Sequence, residues 1–222
     1  MGSLVEKVRG LLKTGPIVDP GLPLGLIPFV VIDTELTGLD PKRDSVVSVG
    51  ALKMSGTRIE LGQGYHRLVS PRSRFEKASV VVHGITPDDV VEKPPLGAIA
   101  AELIAFCGDR VVAGHFLSID LGFLGREIAA LRAAEWHRQA VDTMRIHIWM
   151  EQHRHGPEVG LAVAEGTLNL SALAQRHGIR VVGAHNALAD AFITAQVLQR
   201  QLRALPEVGV RTLGDLLRIG KP

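Results

Sequence analysis

The apolar positions of this chain change their period along its length. A β-branched run over residues 29–35 predicts a strand, and 45–54 and 64–69 read the same way, divided by Gly- and Asp-containing turns. Short connections between the three favour an antiparallel meander. From residue 95 the period lengthens: Leu96, Ile99, Leu103 and Phe106 recur at helical spacing over 95–107. Residues 111–115 follow as a fourth strand, and Leu121, Leu124, Ile128 and Leu131 mark the next helix. A short fifth strand is expected at 140–143, a helix at 144–151, a polar Gly-rich loop at 152–165 and a helix at 168–177 stopped by Gly178. Leu188, Phe192, Ala195, Leu198 and Leu202 line one face of a long helix over 187–205. Three strands followed by alternating helices and strands predict one mixed α/β domain.

The ends read differently. Leu4, Val8, Leu11 and Leu12 share a helical face ahead of a Pro/Gly-rich connector, so residues 1–27 are expected to form a short helical extension and linker, docking on the body or on a protein partner. Residues 28–205 would be the main domain, and 206–222 a tail with an amphipathic helix over 211–218 closed by Gly220.

Composition narrows the class. With 222 residues, 46% apolar and 22% charged, this is an ordinary globular chain. No apolar run reaches the roughly 18 residues a membrane span needs, and Glu6, Lys7 and Arg9 interrupt any signal-like opening. A cytoplasmic protein with no membrane role is expected. The lone Cys107 excludes an internal disulfide and a cysteine zinc site. A net charge of +2 and 4% aromatics fall short of a dense duplex-gripping patch or a platform stacking many bases. A nucleic-acid role would have to be local. Arg72, Arg74 and Lys77 form a small basic cluster that suits phosphates or simply a solvated loop, and His147, His153 and His155 are expected at the surface.

The chemistry lies in the acids. Alternation along the first strand points Asp33 and Glu35 the same way, and Gly38 then turns the chain. Asp120 follows the fourth strand, and Asp190 falls in the first turn of the last long helix. Strand ends are where open α/β sheets collect functional groups. Converging carboxylates need a shared proton or a bound cation, and oxygen ligands of this kind select Mg²⁺ or Mn²⁺. Two such ions about 3.5–4 Å apart would suit phosphodiester hydrolysis. Each acid also has a plain structural role open to it: Asp190 at a helix dipole, Asp120 as an N-cap, His185 as a loop histidine beside glycine.

The ordered set Asp33-Thr-Glu35-Leu-Thr-Gly-Leu-Asp-Pro, Val82-His-Gly-Ile-Thr86, His115 with Asp120, Val141-Asp-Thr143 and His185-Asn-Ala-Leu-Ala-Asp190 resembles the DEDDh 3′–5′ exonuclease family, especially proofreading epsilon subunits of bacterial DNA polymerase III. The resemblance spans residues 28 to 204. It implies a ribonuclease H-like mixed five-stranded sheet flanked by helices and removal of nucleoside 5′-monophosphates from a single-stranded or frayed 3′ end, DNA favoured. It implies Asp33, Glu35, Asp120 and Asp190 as ligands of two divalent cations and His185 as general base, since a histidine titrating near about 6.5 suits an acidified water. It places Thr34, Leu36, Thr37, His83, His115 and Phe116 at the substrate and makes Asp142 structural; Leu36 stands where Thr is commoner, a larger apolar group able to wedge against the terminal base. The sequence departs from the family at Phe116, where Asn is usual, and at Ile119, where Phe is usual. An RNA-directed relative, or a non-catalytic module binding nucleic-acid ends or a partner, are the competing readings.

Overall fold

The computed structural model describes residues 18–40, 42–128, 139–158, 161–162 and 168–222. The extension over residues 4–12 and the position of Leu131 lie outside them.

Five strands form one mixed sheet: β1 (Pro28–Leu36), β2 (Val46–Ser55), β3 (Arg58–Leu68), β4 (Val111–Gly114) and β5 (Ala140–Asp142), in the spatial order β3-β2-β1-β4-β5. The first three make the expected antiparallel meander, while β4 runs parallel to β1, and β5 to β4. Helices α1 (Lys77–His83), α2 (Pro87–Val90), α3 (Leu96–Cys107), α4 (Leu117–Glu127), α5 (Thr143–His155), α6 (Leu170–Arg176), α7 (Ala187–Ala204) and α8 (Leu213–Ile219) fill the connections. Strand alternation sorts the core into two layers. Val30, Ile32 and Leu36 pack with Leu103, Phe123 and Leu124 of α3 and α4. Phe29 and Val31 face the opposite way, onto Ile146, Ala195, Leu198 and Leu216 of α5, α7 and α8.

Several sequence expectations change. Strand β3 begins six residues earlier than the apolar pattern suggested, because backbone pairing with β2 holds a largely exposed edge containing Gly62 and Gly64. Helix α5 continues through His155, so residues 152–155 are helical and not loop. His147 is 3% exposed, which corrects its surface placement. Its helix face is buried from Thr143 through Glu151, and buried Glu151 accepts from Arg154 at 2.9 Å and from Arg176 of α6 at 2.8 Å. Helices α1 and α2 carried no clear apolar period, having only Val90 buried between them. The last residues close the core, with Leu213 N–H donating to Leu22 O and Asp142 N–H to Gly220 O.

Candidate active site

The site sits at the C-terminal end of β1. That strand continues through Leu36, so Asp33 and Glu35 project from one face, as alternation requires. Helix α7 crosses the same face and delivers Asp190 from its first turn. What permits the crossing is Gly50, which opposes Asp33 across the β1–β2 ladder. A Cβ there would stand 2.2–2.3 Å from the Ala187 and Leu188 backbone, so only glycine lets the helix start lie against the sheet. Oxygens of Asp33, Glu35 and Asp190 come within 4.8 Å of one another.

Three carboxylates this close, half-buried or buried, are electrostatically frustrated. Burial, then the charges of Asp190 and Asp120, push Glu35 up to about 8. Asp33 is raised well above the ordinary carboxylate range by burial first, then by Asp120, Glu35 and Asp190, and Asp190 is raised by burial. Glu35 Oε1 is buried without a hydrogen-bond partner. A buried carboxylate oxygen facing two more acids suits a cation, and an all-oxygen donor set fits Mg²⁺ or Mn²⁺.

Asp120 approaches from the other side of the sheet. It lies within the first turn of α4 and not at its cap, and Oδ1 accepts the Thr34 hydroxyl at 2.6 Å. Thr34 alternates with Asp33 and Glu35, so one strand end reaches acids on both faces. Burial raises Asp120 to about 7 against the opposing Thr34 hydrogen bond. It stands outside the tight group of three while still adding to the charge on Asp33. The cap position of α4 is Phe116, held in the left-handed region at φ 54°. Asparagine enters that region far more readily than phenylalanine. Asp142 holds the conformation: its carboxylate accepts Phe116 N–H at 3.2 Å, Leu117 N–H at 2.9 Å and Met144 N–H at 2.9 Å, joining two helix starts.

The other expected residues divide. His185 is exposed on the loop before α7 with φ 66°, and its own N–H donates to Asp190 Oδ2 at 2.8 Å. His83 ends α1; Ile85 N–H donates to its Nδ1 at 3.0 Å, so Nε2–H donates to Leu36 O. Burial lowers its pKa. His115 is enclosed, with Nδ1 against the Thr143 hydroxyl at 2.8 Å and Nε2 against Leu168 O at 2.6 Å. Leu36 is only 9% exposed and packs into the core, whereas Leu39, three residues on, is 75% exposed. Thr37 is fully buried: it donates to Asp44 Oδ1 at 2.9 Å and accepts from Ser45 N–H at 3.0 Å. Sequence reasoning did not single out Gly50 or the Thr34–Asp120 bond. A glycine inside an apolar strand was the available sign of a close backbone approach.

The family model described as Exonuclease, RNase_T, matches residues 30–198. A DNA polymerase III subunit epsilon-like protein of Rhodobacter capsulatus is 32% identical over 198 residues, and a PolC-type DNA polymerase III of Thermotoga maritima is 27% identical over 191. The alignments cover 88% and 86% of this chain but 26% and 13% of those proteins. Among solved structures, Exonuclease X in complex with 5′ overhanging duplex DNA superposes with a TM-score of 0.62 at 21% identity, covering 86% of this chain and 98% of that one. Escherichia coli Exonuclease I in complex with a dT13 oligonucleotide gives 0.65 at 18% identity, over 83% and 44%. These two share the fold, an open mixed sheet flanked by helices.

Proposed function

Because the chain belongs to the exonuclease family matched over residues 30–198, we propose that it is a metal-dependent 3′–5′ exonuclease of the DEDDh type, releasing nucleoside 5′-monophosphates. The observation that carries the reading is the convergence of Asp33, Glu35 and Asp190 around an unpartnered, buried Glu35 oxygen. In this reading Asp33, Glu35 and Asp190, with Asp120 reached across the strand through Thr34, would hold two divalent cations. When bound, the cations acidify the attacking water and offset charge developing on the phosphate.

The chain's own groups do the rest. Glu35, raised to about 8 by burial, would give up a proton on binding a cation. The Thr34 hydroxyl holds Asp120 in one orientation. His185 accepts the proton of the attacking water. Its backbone bond to Asp190 couples the base's position to a ligand, while the exposed loop with Gly183 at φ 70° gives the ring room to move. DNA is favoured as substrate because the named relatives are DNA polymerase III proteins, though the chain spans only a small part of them.

The test uses matched single-stranded DNA and RNA labelled at either end, with Mg²⁺ or Mn²⁺. Shortening from the 3′ end is expected, fastest on DNA. Full activity in EDTA or in Asp33→Ala would overturn the reading, and preference for RNA would reassign the substrate.

A further inference from the structure

Thr37, two residues beyond Glu35, organises a second feature of the site. Its N–H donates to Ser45 O at 2.9 Å, and its hydroxyl joins Asp44 and Ser45, so the loop after β1 folds back onto it. Because the hydroxyl proton goes to Asp44, Ser73 donates its own to Thr37 Oγ1 at 2.8 Å, and Glu76 N–H donates to Thr37 O at 3.0 Å. Two loops distant in sequence are thereby fixed side by side. One carries Lys42 and Arg43, the other Arg72, Arg74 and Lys77, all exposed.

Cations outnumber the acids Asp40, Asp44 and Glu76 on these loops, and most of them stay out of ion pairs. Arg43 lies 3.5 Å from Asp40, but among the described residues Lys42, Arg72, Arg74 and Lys77 form no ion pair. Elsewhere Arg67 pairs with Glu102, Arg154 and Arg176 with Glu151, and Arg218 with Asp215. In a chain of net charge +2, five cations on one rim stand out. Two residues of extended chain plus one hydrogen bond place this rim within about 12 Å of the Glu35 backbone. At about 3.4 Å per nucleotide, that distance corresponds to roughly three or four phosphates of strand.

We infer that the joined loops 42–43 and 72–77 form a track for the phosphodiester backbone of the substrate upstream of its 3′ end. The inference rests on the nuclease reading above. The track explains how a small chain with few aromatics keeps hold of a strand: by backbone charge and not by base stacking. It is sequence-independent, and it engages only substrates long enough to reach it.

The test compares wild type with R72A/R74A/K77A, exposed positions outside the group of converging carboxylates. Anisotropy with Ca²⁺ measures binding of a labelled strand of about 20 nucleotides across a salt series, where each lost phosphate contact should lower the slope by about 0.7 and weaken binding about five-fold at 0.1 M salt. The charge-retaining R72K/R74K variant should bind like wild type, and dinucleotide hydrolysis with Mg²⁺ should be equal in all three. Unchanged slope and affinity in the triple variant, or loss of dinucleotide cleavage alongside long-strand binding, would overturn the track. Failure of wild type to cut either substrate would instead count against the nuclease reading, since the binding arm is read without turnover.

Discussion

Replacing Glu35 by Gln should make the metal-free protein more stable at high pH while abolishing its activity. Glu35 is 8% exposed, titrates at about 8 instead of 4.5, and owes the rise to burial, then Asp190, then Asp120. Its folded-state value lies above the unfolded one, so between 4.5 and about 8 the native state binds a proton that the unfolded chain does not. Native stability is therefore lost as pH rises through that window, and the loss is complete above it. A shift of about 3.5 units corresponds to about 5 kcal/mol as a ceiling. Neighbouring acids relax once one charge is gone, so a net gain of about 2–3 kcal/mol is expected, or roughly 5–10 °C in melting temperature for a chain of this size. Calorimetry in EDTA at pH 9 and pH 4.5 reads it directly. The gain belongs to pH 9 and should vanish at pH 4.5, where the glutamate is protonated anyway. A variant no more stable than wild type at pH 9, or equally stabilised at both, would refute the claim that frustrated charge shapes this site.

Added Mg²⁺ should stabilise wild type by about 2.7 kcal/mol at a hundredfold excess over its dissociation constant, with a much smaller effect on Asp33→Asn, seen as melting shifts. Gly50→Ala places a methyl into the start of α7; it should cut activity and cost on the order of 1–3 kcal/mol through overpacking, measured by denaturant titration beside turnover. His185→Ala should lower kcat roughly 10²–10⁴-fold with an unchanged melting temperature, because the side chain is exposed; a large melting shift would argue for a structural histidine.

The long elements were legible because burial imposes a period on them: β1, β2, α3, α4 and α7 each show their packed face in the apolar spacing. The order of acids along the chain likewise marked Asp33, Glu35, Asp120 and Asp190 before any coordinates. Harder to read were elements held by backbone pairing or by polar contacts. The first half of β3 is specified by its ladder to β2, and the inward face of α5 by ion pairs around Glu151. Leu36 illustrates the limit most plainly: in sequence it sits beside the acids, but strand parity turns it into the core, while exposed Leu39 follows three residues later.

Sequence alone determined which acids the chain offers, in what order, and which of them share a strand or helix face, since local spacing decides that. Only the tertiary structure decided that three acids lie within 4.8 Å while Asp120 stands across the strand. It also decided that Gly50 is the gap admitting α7, and that Thr37 joins two basic loops. Those distances depend on how separately folded segments cross, and a crossing is set by packing among residues far apart in the chain, which no local pattern encodes.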